Sequence, residues 1–234
     1  MKILKGNFGE CRLKDLYYVK SLPKKTAEYF ILTFHYLHRK CQIMYSYGLF
    51  EKISQRCVGC ITFGLPASPD MLRLCGEEEI KHALELNRLW VEDSTPKNTE
   101  TFFISRALKF LPIEIIISYA DPNIGHYGCI YQASNFLYTG RGASTNRIFI
   151  NEKEKHSRHL NDSFSKKYKN ITKVKEKGKH RYVYFNAIKP RKKELLKKLK
   201  WKILPYPKPE KIKKKKKIHI KTLESFQIPS NKPC

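Results

Sequence analysis

IEIIISY, at residues 113–119, is the stretch that decides the fold class. A near-continuous apolar run of this length is typical of a strand buried on both faces of a sheet. Short apolar runs predict further strands at residues 43–50, 57–64, 84–91 and 136–140. Helical patterns lie at residues 23–40, with an apolar stripe of Ala27, Phe30, Phe34 and Leu37, at 99–111, with Thr99 as N-cap, and at 126–135. This order predicts an α/β (α+β) fold with a mixed sheet, not a doubly wound one.

Charge divides the chain into two parts. The 234 residues carry 47 Lys and Arg against 21 Asp and Glu, a net charge of +26. Residues 1–150 hold 19 basic and 14 acidic residues, whereas residues 151–234 hold 28 and 7. We therefore expect a globular domain at 1–150 and a basic extension at 151–234 that binds nucleic acid. A polycation attracts nucleic acid by counterion release; a membrane surface is the weaker alternative, because no amphipathic helix with aromatic anchors is evident.

The basic extension is predicted to pack partly on the core. Residues 181–186 have the pattern of one more strand, and residues 190–200 that of a basic helix opened by Pro190. The Pro- and Lys-rich residues 204–217 are expected to be extended and the end of the chain mobile. No apolar segment resembles a secretory signal or a membrane span, which predicts an intracellular protein with no membrane partner. The seven cysteines are then expected to be reduced thiols, and Cys57 and Cys60 to be structural.

Two polar clusters are candidates for chemistry. In the first, residues 118–135, Asp121 follows the buried strand at the sheet edge where ligand crevices form, and Tyr131 lies on the next predicted helix. The alternative is that Asp121 caps a turn with Pro122 and Tyr131 belongs to the core. The second is His35-Tyr36-Leu37-His38-Arg39 near the end of the first helix. Its histidines are either part of a site or half-buried spectators.

These clusters, in this order, resemble the Mom family of phage DNA-modification proteins. The resemblance covers most of residues 24–141. It is carried by the ordered motifs NRLWVED (87–93), TPKNTE (95–100) and SYADPNIGHYGCIYQASNFLYTG (118–140) together with the His35 cluster, and it continues in KHRYVYF (179–185) and Leu204-Pro205-Tyr206-Pro207. It implies a fold like that of the GNAT acetyltransferase superfamily, with a mainly antiparallel central sheet flanked by helices.

The resemblance also implies an activity. Family members convert adenine in duplex DNA to N6-carbamoylmethyladenine, which hides phage DNA from restriction enzymes in the cytoplasm of the infected host. Acetyl-CoA and iron are the cofactors proposed for the family. Its metal and catalytic positions correspond to His35, Tyr36, Asp121 and Tyr131, and a family serine corresponds to Ser105. Imidazole, carboxylate and phenolate donors suit iron. A carbamoylmethyl group is joined through a methylene, so attack on an acetyl carbonyl alone cannot form it.

Cofactor and DNA contacts complete the predicted site. The turn at residues 93–100 has no glycine, unlike the usual GNAT phosphate loop, so Lys97, Asn98 and Thr99 are the candidate phosphate-binding residues. A duplex adenine has to be extruded or caught unpaired. The residues expected to stack on it, unless they belong to the core, are Tyr45, Tyr47, Trp90 and Tyr127. Those expected to bind DNA phosphates are Arg39, Arg141, Arg147, Lys179, Arg181, Lys192 and Lys193.

Two other functions remain open at this stage. One is a GNAT-type N-acetyltransferase acting on a small amine or protein, and the other is a non-enzymatic basic DNA-binding protein. The basic extension favours DNA over a small amine, whereas the polar clusters favour an enzyme. A homodimer is also left open.

Overall fold

The computed structural model describes residues 12–150, 153–155 and 171–208. It contains ten strands: β1 Tyr17–Ser21, β2 Tyr45–Glu51, β3 Cys57–Gly64, β4 Ala83–Val91, β5 Ile115–Ala120, β6 Leu137–Arg141, β7 Thr145–Ile150, β8 Lys153–Lys155, β9 Ile171–Glu176 and β10 His180–Phe185. The five described α-helices are α1 Leu13–Leu16, α2 Lys24–Phe34, α3 Thr99–Phe110, α4 Cys129–Ala133 and α5 Lys189–Lys198. Short 3₁₀ helices lie at Pro69–Arg73, Glu77–His82 and Pro122–Ile124.

The main sheet has the strand order β1-β2-β3-β4-β5-β10-β6. Every pair in it is antiparallel except β4 with β5. That parallel pairing ends at Glu85 and Ile117, although β4 runs on to Val91 beside β3. The two strands therefore diverge toward their carboxyl ends and leave an opening in the sheet. The mixed, mainly antiparallel α/β architecture is confirmed.

Helices cover both faces of this sheet. On one face, α3 buries Phe103, Ile104, Ala107 and Leu108 against the sheet. On the other face, Leu195 of α5 packs with the isoleucines of β5. The three consecutive residues Ile115, Ile116 and Ile117 are completely buried, as the apolar run predicts. Among the described residues, no helix combines the length and apolar character needed to cross a membrane.

The predicted division at residue 150 does not follow the fold. Strand β10 comes from the basic segment, yet it lies between β5 and β6 and pairs with both. Its Tyr182 is completely buried. The local pattern predicts the strand but not its partners, because a pairing distant in sequence leaves no mark on local periodicity. Residues 171–208 thus largely belong to the same fold as the preceding residues, and the segment expected to be mobile lies mostly outside the described residues.

Ion pairs attach α5 to the core. Arg191 binds the carboxylates of Glu79 and Glu114, and Lys198 Nζ lies 2.8 Å from Glu79 Oε1. The Glu79 side chain is only 3% exposed, so these cations neutralise a charge that burial alone would make costly. Glu79, His82 and Glu114 could together approach a metal ion. The two cations already balance the carboxylates, which makes this group an ion-pair cluster.

Several predicted boundaries are wrong. Helix α2 ends at Phe34, not near residue 40, because the His38 ring bonds the Leu32 carbonyl at 2.9 Å and His38 itself adopts φ 45°. The buried face of α2 is Ala27 and Ile31, whereas Phe34 is 45% exposed. The N-cap of α3 is Asn98, and Thr99 instead donates its hydroxyl to the Pro96 carbonyl.

The region after the buried strand also differs from the prediction. Helix α4 has five residues, since Gly125 and Gly128 at φ 79° and 78° keep the preceding segment out of the helix. A second sheet, with strand order β8-β7-β9, was not predicted.

Candidate active site

A cavity of about 370 Å³ occupies the opening between β4 and β5. Its walls come from the segment after α2, from β4, from the end of β5, from the loop leading into α4, and from the turn before β10. The lining residues are His35, Tyr36, Leu37, Glu85, Leu86, Asn87, Arg88, Leu89, Tyr119, Ala120, Gly125, His126, Tyr127, Gly128, Cys129, Ile130, Tyr131 and Lys179. Both polar clusters of the sequence therefore meet at one site.

His35 and Tyr36 form one wall. The His35 ring stacks on Tyr36 with centroids 4.4 Å apart, and Tyr36 meets the His126 ring edge-on at 5.3 Å. His35 Nδ1 accepts the Leu37 backbone N–H at 3.2 Å. Burial, helped by the positive charge of Arg88, lowers the pKa of His35 to about 4. The imidazole is therefore neutral at pH 7, with its proton on Nε2.

Asp121 is not among the residues that line the cavity. Its Oδ1 accepts from both the backbone N–H and the side-chain amide of Asn123, each at 2.9 Å. Its Oδ2 is 3.9 Å from Lys179 Nζ. Burial, and then the Asp121 charge, raise the pKa of Tyr36, which indicates that the two side chains are close. The turn-capping interpretation of Asp121 is therefore the one that its contacts fit.

Tyr131 contributes both to the cavity and to the core. It packs against Phe136 and Tyr182, each with ring centroids 5.4 Å away. Burial raises its pKa to about 12, against the effect of a hydrogen bond to the Ser118 hydroxyl. The phenol is therefore protonated at pH 7.

Sequence reasoning missed two cavity residues, Glu85 and Arg88. Burial raises the pKa of Glu85 to about 7, although Arg88 and Lys179 both act to lower it. Arg88 Nε is buried without a hydrogen-bond partner, and its Nη1 donates to the Asn87 carbonyl at 2.6 Å. The signal that could have found them is their position: two charged residues within the largely apolar strand LELNRLWV.

Ser105 and Asn98 lie elsewhere. They line a groove of about 560 Å³ between α3 and the end of α4. Thr101, Lys109 and Asn186 contribute to the same groove. The structure therefore does not bring Ser105 to the His35 cavity. Thr99 is buried, and neither it nor Lys97 lines the groove.

The predicted DNA contacts are distributed unevenly. Arg39, Arg141 and Lys193 are exposed, Lys192 is half-buried beside the Tyr184 ring, and Lys179 is 51% exposed at the cavity. The Arg147 side chain lies outside the described part of the structure.

Arg181 is not available to a phosphate. It is buried, it donates to the Thr139 carbonyl and hydroxyl, and its guanidinium lies 3.4 Å from the Trp201 ring centroid. The prediction that Arg181 binds DNA is therefore corrected to a structural role.

Only one of the residues predicted to stack on the adenine lines the cavity. Tyr127 lines the cavity, whereas Tyr47 is buried and packs against Phe110. Trp90 stacks on Phe34 at 4.7 Å, outside the cavity lining. Tyr45 is half-buried beside the core and does not line the cavity either.

The hydrogen bonds in the site do not fit the predicted iron ligands. A metal needs a lone pair on the imidazole, and that of His35 Nδ1 faces the Leu37 N–H. Asp121 Oδ1 already accepts two N–H groups, and its Oδ2 lies 3.9 Å from Lys179 Nζ. The arrangement fits a neutral imidazole with an Nε2–H donor. We therefore assign iron no chemical step.

Comparison with known proteins identifies the family of the chain. The sequence model of the Mom protein family matches residues 16–208. Methylcarbamoylase mom of Escherichia phage Mu is 34% identical over 134 residues, which cover 54% of this chain and 55% of that protein. The chain thus spans about half the length of this curated relative.

Solved structures with a similar arrangement are acetyltransferases of low identity. A probable acetyltransferase from Staphylococcus epidermidis has a TM-score of 0.44 at 10% identity, covering 74% of this chain and 100% of its own. An N-acetyltransferase from Staphylococcus aureus has a TM-score of 0.42 at 10% identity, covering 73% and 99%. Because the family model matches well over half of the sequence, the chain belongs to the Mom protein family.

Proposed function

We propose that this chain is a DNA-modifying transferase that adds a carbamoylmethyl group to the N6 amino group of adenine. The observation that carries the proposal is the cavity, which joins His35, Tyr36 and Tyr131 with the charged pair Glu85 and Arg88. The similarity to a methylcarbamoylase supports it. Protection of phage DNA inside the host cytoplasm is part of the same proposal.

The cavity suits an extruded base. Ligand sites of this kind are clefts of about 300–1,000 Å³ with apolar and aromatic walls and a few polar groups. The aromatic residues Tyr36, Tyr119 and Tyr127 line this one. Enzymes that act on a base in a duplex extrude it into such a pocket and hold it by stacking. Half-exposed Tyr36 at the wall is the residue that we expect to stack on the adenine.

Glu85 is the proton acceptor in this proposal. Formation of an N6–carbon bond requires N6 to lose one proton, and a base with a pKa near the working pH is the most effective acceptor. The burial that raises the pKa of Glu85 to about 7 meets that requirement. Arg88 Nε–H, buried without a partner, is the donor that we expect to bind the carbonyl oxygen of the group being transferred.

An acyl-CoA is the proposed source of the two-carbon unit. Joining its methyl carbon to N6 replaces a C–H bond by a C–N bond, so the proposed reaction also consumes a two-electron oxidant, and an ammonia donor displaces the CoA thiolate to form the amide. The groove between α3 and α4 is the candidate for holding it, with Asn98 at the α3 N-terminus and Lys109 along its wall. A helix N-terminus presents free N–H groups and a partial positive charge to phosphate. Measuring iron in purified protein, His35→Ala and Asp121→Ala tests the remaining cofactor: metal retained in the parent and lost in both variants would revise the His35 assignment.

Nucleoside mass spectrometry tests the activity directly. The chain would be expressed in bacteria beside a plasmid, and the plasmid digested and searched for N6-carbamoylmethyladenine. The parent chain is expected to produce it and Glu85→Gln to lose it. Unmodified adenine in the presence of folded parent protein would refute the proposal. Acetylated amines in the same cells would instead favour an N-acetyltransferase. A DNA-bound protein with neither product would favour a binding protein without catalysis.

A further inference from the structure

A row of lysines leads from the second sheet to the cavity. Lys173 and Lys175 are exposed on β9, and they share one face of the strand because side chains alternate along it. Two residues further on comes Lys177, and two beyond that Lys179, which lines the cavity and is 51% exposed. Residues 172–175 are all exposed, and among the strands that the structure describes β9 lies at the edge of its sheet.

We propose that the β9 face carrying Lys173 and Lys175 binds the phosphate backbone of duplex DNA and leads it to the cavity. The inference rests on the proposed function, in which DNA is the substrate. It goes further by naming the surface that binds the DNA and how that surface is placed relative to the cavity. Residues 171–179 hold four lysines and one acidic residue, Glu176, so the segment is complementary to a polyanion.

The length of the row suits a duplex. A strand rises about 3.3 Å per residue, so an extended path from Lys173 to Lys179 spans about 20 Å. Successive phosphates of one DNA strand are spaced about 3.4 Å along the helix axis, and 20 Å therefore corresponds to about six base pairs. Backbone contacts over that distance would position the duplex beside the cavity without reading its sequence.

The structure fixes this row relative to the cavity through Asn123. The Asn123 side-chain amide donates to the Lys177 carbonyl at 2.9 Å and accepts the Lys177 N–H at 3.0 Å. The same amide donates to Asp121 Oδ1, which also accepts the Asn123 N–H. Asp121 thus orients Asn123, and Asn123 in turn fixes the backbone of Lys177 in the lysine row. Asp121 therefore acts here as a positioning residue.

A close backbone contact reinforces this link. The Gly142 N–H donates to the Lys179 carbonyl at 2.9 Å. A Cβ added to Gly178 would lie 1.8 Å from the Gly142 carbonyl oxygen, so only glycine permits the approach. The two chain segments that join the sheets are therefore held together beside the cavity.

The first test removes the two exposed charges. We compare Lys173→Gln/Lys175→Gln with the matched control Lys24→Gln/Lys25→Gln, an exposed pair at the start of α2. Binding to a fluorescent duplex is measured by anisotropy between about 50 and 200 mM salt. Each lost phosphate contact changes the slope of log K against log salt by about 0.9, so the β9 variant should lose about 1.8 in slope. Its affinity deficit should accordingly be about tenfold larger at the low-salt end than at the high-salt end.

Two results would refute the proposal that this β9 face binds DNA. One is an unchanged slope in the β9 variant. The other is self-association of that variant with unchanged DNA affinity, which would mean that the lysines only protect an exposed edge strand from pairing. If the parent chain produces no modified nucleoside in plasmid DNA, the proposed function fails. If the salt slope of the β9 variant is unchanged, only the proposed DNA-binding surface fails.

The second test asks whether Asn123 and Asp121 position the bound DNA relative to the cavity. Asn123→Ala should retain the salt slope of the parent but lose most of the adenine modification. Asp121→Asn keeps an acceptor oxygen for Asn123 and should retain much of the modification, whereas Asp121→Ala should behave like Asn123→Ala. Full modification by Asn123→Ala, or loss with Asp121→Asn equal to that with Asp121→Ala, would overturn the positioning role.

Discussion

Replacing Glu85 by glutamine is expected to stabilise the fold at alkaline pH while it abolishes the modification. Burial raises the pKa of Glu85 from 4.5 to about 7. Between these two values the folded chain holds a proton that the unfolded chain has released. Stability therefore falls as the pH rises through this window, and the cost is complete above the folded pKa. Glutamine has nearly the same shape and does not titrate.

The size of the effect follows from the two pKa values. One pKa unit corresponds to about 1.4 kcal/mol, so the ionised carboxylate costs the fold about 3 kcal/mol at pH 8 and less than about 1 kcal/mol at pH 5. Between these conditions the free energy of unfolding of Glu85→Gln, relative to the parent, should rise by about 2–3 kcal/mol.

Urea denaturation at the two pH values provides the measurement. Glu28→Gln on α2, outside the cavity lining, is the matched control for loss of a carboxylate. A stability difference between Glu85→Gln and the parent that stays constant from pH 5 to pH 8 would refute the reasoning, because Glu85 would then not titrate in that range.

Three further predictions concern packing, ion pairs and thiols. Gly178→Ala should lower the free energy of unfolding by about 1–3 kcal/mol in urea, because its Cβ would meet the Gly142 backbone; an unchanged midpoint would contradict the contact. Arg191→Ala should cost about 3 kcal/mol by the same assay, since it removes the main partner of buried Glu79; a loss below about 0.5 kcal/mol would show that the pair is immaterial. Cys129 is exposed and should react quickly with a thiol reagent, whereas Cys60, whose pKa burial raises, should react only on unfolding; equal rates would contradict the burial.

Local pattern predicts some elements well and others poorly, for identifiable reasons. The buried strand β5 and the meander β2–β3 follow from apolar runs whose short length is typical of strands. The end of α2 does not follow from local pattern, because the apolar spacing continues to Leu37. The helix ends earlier, where the His38 side chain bonds the Leu32 carbonyl. The place of β10 in the sheet depends on partners far away in sequence.

The candidate site shows the same division. Of the four positions that the resemblance gave, His35, Tyr36 and Tyr131 line one cavity, whereas Asp121 is not among its lining residues. Glu85 was missed because its raised pKa depends on burial that exists only in the folded chain. The charge of Arg181 suggested DNA, but only the structure shows it beneath Trp201.

The central position of β10 has a consequence for the order in which the protein becomes active during synthesis. Strands β5 and β6 are made first, and they must wait, with backbone groups unpaired, for a strand whose residues emerge about 40 positions after β6. Closure over such a distance is slow, and the open edges are prone to associate with other chains meanwhile. A ribosome stalled before residue 180 would therefore carry a chain in which β5 and β6 lack the strand that lies between them.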